Sequence, residues 1–347
     1  MAESCYRSAV VGLGVMGQIA DGLGGRHPLW FRPCCHADAY EDHPRTELVA
    51  GATRNPDRQE KFQSERNLPV FADYQEMLEQ VRPDFVSVAT PATVHADVVV
   101  ASAEAGVKGI WCEKAMGVSL AECDRMIEAC DRAGAVLTIN HQRRWDDRYQ
   151  AVTRALSEGV IGELQMIQIH GKGGRLCRTG SHLFDLVRLF SRDEMAWGMG
   201  WLSNPGEFDP GGTGIFETTA GVRVTVDVAT GMTHPLWIEL VGNSGIIKVI
   251  DDGFEVQLWT PDDRLEMSEF GLLGKHHLPI NYKVGNPFLN AVGDLIGCVE
   301  QGREPLSSGR DGRAAFEMIA SVHLSHRDGK SVVPFPLQDL DLEIPSN

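Results

Sequence analysis

Ala9-Val10-Val11-Gly12-Leu13-Gly14-Val15-Met16-Gly17 decides how this chain is read. Ala9, Val10 and Val11 make the short apolar run of a buried parallel strand, and the run ends in Gly12-Leu13-Gly14-Val15-Met16-Gly17, which fits G-x-G-x-x-G. Gly12 permits a tight turn, Gly14 lets the backbone approach a pyrophosphate, and Gly17 lets the following helix pack closely on the strand. Phosphates would then lie on free N–H groups at the positive end of that helix, which makes Gly12, Gly14, Val15, Met16 and Gly17 candidate cofactor-binding residues. An ordinary glycine turn can carry the same letters in a chain with 37 glycines; the position directly after an apolar strand favours the dinucleotide.

The 347 residues are enough for two domains and a sizeable core. A hydrophobic content of 43% with 23% charged residues is that of a globular protein. The formal net charge of -16 argues against nucleic acid or an anionic membrane as partner, while leaving room for a local basic pocket. No basic-then-apolar leader and no run of about eighteen apolar residues is present, so a cytoplasmic protein is expected. The eight cysteines form no C-x-x-C pair and no zinc spacing, and are read as reduced thiols; no metal site is expected.

Outward from the glycine turn, Val15 to about Gly25 reads as the first helix and His27 to Thr46 as a long connection broken by Pro28 and Pro33. The second strand covers 47–52, and at its end, where an NAD site carries an acidic residue on the ribose, stand Thr53 and Arg54. With no carboxylate to repel a 2′-phosphate and with Arg54 to pair with one, NADP is preferred to NAD, the alternative being an Arg in a surface turn. Strand and helix then alternate through 139. The fourth strand ends in Thr90-Pro91 at the sheet edge that faces a ligand, which puts Thr90, Pro91 and His95 beside the cofactor; His95 can equally be making a structural hydrogen bond. The fifth strand, 109–112, runs into Glu113-Lys114-Ala115, and Ser119 caps a helix to 133 with Glu122 three residues on.

The pieces Gly12–Gly17, Ala89-Thr90-Pro91 with His95, Glu113-Lys114, Asn140-His141-Gln142-Arg143-Arg144, Glu158-Gly159-Val160-Ile161-Gly162-Glu163 and Gly180-Ser181-His182-Leu183-Phe184-Asp185, in that order, resemble the glucose-fructose oxidoreductase / inositol dehydrogenase / MocA (Gfo/Idh/MocA) family. The resemblance implies an α/β chain: an NAD(P)-binding Rossmann domain over residues 1–145, then an α/β domain over 146–347 whose large, mostly antiparallel open sheet binds substrate and mediates homo-oligomers, dimer or tetramer. It also implies that Glu113 and Lys114 sit at the cofactor, with Lys114 catalytic, that His182 is a second catalytic group, and that Asn140, Gln142, Arg144 and Asp185 face substrate. Arg143-Arg144 can equally be a structural ion pair. The second half reads independently as many short strands separated by turns such as Asn204-Pro205 and Asn243-Ser244-Gly245, which favours antiparallel pairing. Helices at 287–300 and 310–326 and an extended tail from Pro334 close the chain.

Oxidation of a secondary alcohol by a nicotinamide needs one group to take the hydroxyl proton as hydride leaves the same carbon. Lys114, at a strand end and with its pKa lowered by burial and by the oxidised ring, suits that task; His182, one helical turn before Asp185, suits a partner role. Two departures from the family pattern stand out. Arg178 occupies the position four before His182 where the family often has aspartate; with Lys172 and Arg175 it would favour an anionic sugar derivative, unless all three are solvated loop cations. Ala115 replaces the usual proline after Lys114, which makes a cis peptide there unexpected. The expected activity is interconversion of hydroxyl and carbonyl on a sugar, cyclitol or derivative. Redox-cycling glycoside cleavage with tightly held NAD and a catalytically silent cofactor-binding regulator are the alternatives.

Overall fold

A computed structural model describes residues 5–19, 32–171, 173–228, 236–262, 272–278 and 285–345. In chain order these form β1 (Tyr6–Val11), a helical turn Val15–Ile19, α1 (His36–Asp42), β2 (Thr46–Ala52), α2 (Pro56–Arg66), β3 (Val70–Phe71), α3 (Tyr74–Val81), β4 (Phe85–Val88), α4 (His95–Glu104), β5 (Gly109–Cys112), α5 (Leu120–Ala133) and β6 (Val136–Ile139). There follow α6 (Asp147–Ser157), β7 (Leu164–His170), α7 (Ser181–Ser191), β8 (Met195–Leu202), β9 (Gly212–Thr218), β10 (Arg223–Asp227), β11 (Trp237–Gly242), β12 (Ile246–Ile250), β13 (Glu255–Pro261), β14 (Leu273–His277), α8 (Pro287–Gln301), α9 (Gly309–Arg327) and β15 (Val333–Pro334).

The chain divides into two compact units, one of Met1–Asp146 with Gly285–Arg313 and Ser346–Asn347, the other of Asp147–Val284 with Ala314–Pro345. The first unit is built on a parallel sheet ordered β3-β2-β1-β4-β5-β6, a doubly wound arrangement whose order reverses beside β1. Its strands are buried along their length, as expected where helices cover both faces. Its core gathers Tyr40, Phe62, Phe85, Trp111, Trp145 and Phe288.

Sequence reading assigns all of 146–347 to the second domain, whereas the contacts group Gly285–Arg313 with the first unit. Hydrogen bonds give the reason: the Trp145 indole N–H donates to Asp294 at 2.9 Å, Asn290 Nδ2 donates to the Trp145 carbonyl at 2.9 Å, and the Ile139 N–H donates to the Ser307 carbonyl at 3.0 Å. Helix α8 is started by Asn286, whose side-chain oxygen accepts from Phe288 and Leu289 N–H while its Nδ2 donates to the Pro33 carbonyl.

The second unit carries a nine-stranded sheet ordered β14-β13-β12-β11-β7-β10-β9-β8-β15. Every pairing is antiparallel except β7 with β10. Burial alternates along β11 to β13, so one face is core and the other partly open. On the open face Lys248 bridges Trp237 and Trp259 and pairs with Glu239 at 2.7 Å.

Three stretches depart from the sequence reading. The connection 27–46 contains α1, a short helix that prolines hide from local rules and that holds through burial of His36, Ala37, Ala39 and Tyr40. Strands β14 and β15 were not anticipated, and the tail read as extended is anchored by buried Leu337 and Ile344, with the Leu337 N–H donating to Glu317 at 2.7 Å. The expected first helix is described only to Ile19, and the rest of it lies outside the described residues. Among the described residues no helix is long and apolar enough to cross a membrane.

Replacing Asn286 with Ala should cost about 1–2 kcal/mol, since it removes a helix cap and a buried tether together. A urea midpoint unchanged from wild type would contradict this.

Candidate active site

The glycine turn lies where β1, β2 and β4 end together. The Gly12 N–H donates to the Ala52 carbonyl at 2.8 Å and the Ala89 N–H to the Val11 carbonyl at 2.7 Å, tying the three strand ends. Gly12 has φ +94°, and a Cβ on it would stand 2.4 Å from the Ala89 oxygen; a Cβ on Gly17 would stand 1.9 Å from the Gly12 oxygen. Neither position admits another residue. At Gly14, among the described residues, the Arg58 guanidinium lies 3.4 Å from where a Cβ would be. Val15 is exposed, and Met16 packs against the core.

A cavity of about 580 Å³ opens beside this turn, lined by Gly12, Thr53, Arg54, Arg58, Asp73 and Thr90, with Pro91 at its wall. Helix α2 begins at its rim: Asn55 accepts from the Arg58 N–H at 3.0 Å, and Arg54 and Arg58 flank that start. The Thr90 hydroxyl is buried with no partner among the described residues. A glycine cradle without Cβ atoms, a helix start with two guanidiniums and an unspent buried hydroxyl suit a dinucleotide. Arg58 was missed in the sequence although it follows Arg54 by four residues, the spacing that brings both to one side of a helix start.

His95 sits behind this wall. Its Nε2 is 2.8 Å from the Thr90 carbonyl, and its Nδ1 is 3.1 Å and 3.2 Å from the Ala115 and Met116 carbonyls. The ring is buried, and burial holds its pKa below the ordinary value despite those carbonyls. Of the two sequence readings, the structural hydrogen bond is the one seen, and His95 does not line the cavity. The Lys114–Ala115 peptide is cis, against the expectation drawn from losing proline. Here His95 takes both carbonyls that follow Lys114, and Ala115 and Met116 are packed away from water, so tertiary contacts override local preference.

Glu113 anchors the end of β5. Its Oε1 accepts from Asn140 Nδ2 at 2.6 Å and lies 3.1 Å from His36 Nε2; its Oε2 accepts from the Lys114 N–H at 3.3 Å. Burial would raise its pKa, but the hydrogen bond and electrostatic attraction of His36, then the charge of Lys114 and the hydrogen bond from Asn140, outweigh burial and carry it down to about 2. Sequence reading put Glu113 on the cofactor; both of its oxygens are instead spent on the protein, so it acts on its neighbours. His36 Nδ1 is 2.8 Å from Ser87 Oγ, which is 2.9 Å from the Tyr40 hydroxyl. None of Tyr40, Ser87 or His36 was singled out in the sequence, because two lie on the unrecognised α1 and Ser87 sits inside an apolar strand.

Lys114 is half-buried at the strand end and Asn140 is buried, its Oδ1 without a partner among the described residues. Gln142 lies half-buried in the turn Gln142–Trp145. Arg144, expected on substrate or in an ion pair across domains, donates to the Leu306 carbonyl at 2.9 Å and pairs with Asp311 at 3.2 Å, both within the first unit.

In the second unit His182 and Asp185 lie one turn apart near the start of α7, Asp185 buried and His182 half-buried. Arg175 and Arg178 are exposed, and Lys172 lies outside the described residues. A carboxylate does reach the Arg178 backbone: Asp209 accepts from the Cys177 and Arg178 N–H groups, each at 2.9 Å. Asp209 carried no sequence signal, being some thirty residues away beyond α7 and β8. Among the described residues no group of three His, Cys, Asp or Glu is arranged to hold a metal ion.

Residues 33–141 match the family model described as the oxidoreductase family with an NAD-binding Rossmann fold. The chain is 26% identical over 340 residues to a D-apiose dehydrogenase of Paraburkholderia graminis, covering 90% of this chain and 88% of that one. It is 24% identical over 296 residues to a myo-inositol 2-dehydrogenase of Thermotoga maritima, covering 76% and 83%. Among solved structures it is similar to the WlbA dehydrogenase of Bordetella pertussis in complex with NADH and UDP-GlcNAcA, with TM-score 0.78, 21% identity and coverage of 97% and 100%.

A carboxyl held near pH 2 rather than at its ordinary 4.5 contributes stability that is complete above 4.5 and lost as pH falls toward 2. Glu113→Gln should therefore be destabilised most above 4.5, its deficit in urea midpoint against wild type shrinking toward pH 2. A deficit constant across that range would show that the carboxylate is not held this way.

Proposed function

We propose, from the premise that this chain belongs to the Gfo/Idh/MocA oxidoreductase family, that it is an NADP-preferring dehydrogenase or reductase that interconverts a hydroxyl and a carbonyl on a sugar or cyclitol. The chain is an oxidoreductase of the sugar and cyclitol dehydrogenase kind, and the observation that carries the finer reading is the cavity beside a glycine turn that excludes any Cβ. When bound, the nicotinamide supplies the ring carbon that takes or gives hydride. Gly12, Gly14 and Gly17 with the backbone of Val15 and Met16 hold its pyrophosphate, and Thr90 and Pro91 line its path.

Thr53 and Arg54 bear on the choice of cofactor. A 2′-phosphate at the end of β2 would meet Arg54, Arg58 and the start of α2, a favourable set for a dianion. Asp73 lines the same cavity and is the feature that favours NAD, although its carboxylate already caps α3 by accepting from the Gln75 N–H at 2.8 Å.

In the oxidation direction Lys114 Nζ takes the alcohol proton as hydride departs, and in reduction it returns that proton. Glu113 accepts from the Lys114 backbone N–H at 3.3 Å and so fixes the point from which the lysine side chain projects. His182 is the second proton-handling group, oriented by its place one turn before Asp185. Asn140, Gln142 and Asp185 face substrate. The second unit forms the interface of a dimer or tetramer, and the protein works in the cytoplasm on a small sugar-like molecule.

A screen of aldoses, sugar acids, sugar phosphates and inositols with NAD and NADP tests this reading. Net NAD(P)H formation is expected with at least one of them, and Lys114→Ala should lower kcat by a factor on the order of 10² or more. Turnover without net reduction would favour redox-cycling glycoside cleavage, and undiminished activity in Lys114→Ala would remove the mechanism. Arg54→Ala should weaken NADP binding about tenfold and leave NAD binding nearly unchanged, measured by quenching of protein fluorescence. Equal loss for both cofactors would count against NADP.

A further inference from the structure

Behind Lys114 runs a line of buried polar groups that the reaction as described does not use: the Tyr40 hydroxyl, Ser87 Oγ, the His36 ring, the Glu113 carboxylate and the Asn140 carboxamide, at 2.9, 2.8, 3.1 and 2.6 Å in turn. The His36 ring is wholly buried, tilted against Trp111 at 4.0 Å between centroids and meeting Phe288 edge-on at 5.9 Å.

The ionised Glu113 fixes the protons nearest to it. Glu113, ionised, can only accept, so His36 Nε2 and Asn140 Nδ2 must both present N–H to it. Burial raises the Tyr40 pKa, so its phenol keeps a proton; the Ser87 and Tyr40 hydroxyls lie 2.9 Å apart, a pair in which either oxygen can donate. If Ser87 accepts from Tyr40, its own hydroxyl proton is left to donate to His36 Nδ1, which must then be the bare nitrogen. A proton on both ring nitrogens would turn Ser87 toward Tyr40 and strand the phenol proton in the core. The other groups facing Glu113 leave this assignment unchanged: the Cys112 thiol is pushed up by burial and by Glu113, and His95 is spent on backbone carbonyls.

We propose that His36 is a positioning residue for the reaction: with its proton fixed on Nε2 by Ser87 and Tyr40, it holds Glu113 as an ionised carboxylate against the Lys114 backbone. The same carboxylate fixes the sense of Asn140, whose NH₂ is turned inward. The proposal rests on the reading of Lys114 as the proton-transfer group.

Two measurements on the full-length protein decide it. Two-bond proton–nitrogen correlation spectra of ¹⁵N-histidine-labelled protein at neutral pH, with His36 assigned by its loss in His36→Gln, should show the proton on Nε2 and a hydrogen-bonded bare Nδ1. In Ser87→Ala the Nδ1 signal should move downfield toward that of a nitrogen with no donor. A proton on Nδ1, or on both nitrogens, overturns the assignment whether or not any sugar is turned over. With the sugar or inositol that the screen selects, His36→Leu should lower kcat about tenfold or more with the KM for cofactor unchanged. His36→Gln, which offers Glu113 an N–H and Ser87 an oxygen, should recover kcat to within about threefold. Wild-type kcat in His36→Leu, or no recovery in a folded His36→Gln, defeats the positioning role. If His36→Leu does not fold, Ser87→Ala serves in its place: a fall in kcat at unchanged cofactor KM supports the role, and unchanged kcat defeats it. Loss of the reading of Lys114 itself would show separately, as full activity in Lys114→Ala.

Discussion

A carboxylate with both oxygens inside the protein constrains the end of the first unit's sheet. Glu113 ends β5, and an ion in that place is tolerable only where donors meet it from several directions. Those donors come from separate elements: His36 from α1, Asn140 from the end of β6, and the backbone of Lys114 itself. Each is thereby fixed in orientation, so α1 is tied to the sheet by its chemistry as well as by packing. Buried networks of this kind hold their geometry because a half-satisfied one would cost more than an apolar core.

The return of the chain from Gly285 to Arg313 serves the same end of the sheet. Asp294 takes the Trp145 indole proton and the Leu306 N–H, and Ser307 accepts from Ile139, so the strand that delivers Asn140 is held from both its edge and its exit. Arg144 belongs to this scaffold through Leu306 and Asp311. In the second unit the same principle acts on a smaller scale. Asp209 satisfies two N–H groups of the turn that leads into α7, fixing the point from which His182 and Asp185 project.

Much of this was legible in the residue order. Alternation of apolar runs with capped helices from Tyr6 to Ile139 implied a parallel, doubly wound sheet, because both periodicities are local. Gly12 and Gly17 were legible for the same reason: a Cβ is excluded by neighbours that the strand-turn-helix itself brings close. What could not be read depends on residues far apart. Helix α1 has weak local signals and forms because its apolar and polar faces both find partners elsewhere, His36 reaching Ser87 and Glu113 over 51 and 77 residues. The cis peptide after Lys114 and the inward turn of His95 follow from one long-range contact that no propensity encodes.

The sequence by itself determined the class of fold and the place of the glycine turn, since these rest on spacing within a few residues. Tertiary structure alone decided which polar side chains are spent inside the protein and which keep an unused hydrogen-bonding group. Both oxygens of Glu113 are engaged by the protein, while Thr90 and Asn140 each retain an unused group, and that division depends on where the folded backbone places its donors and acceptors rather than on residue type.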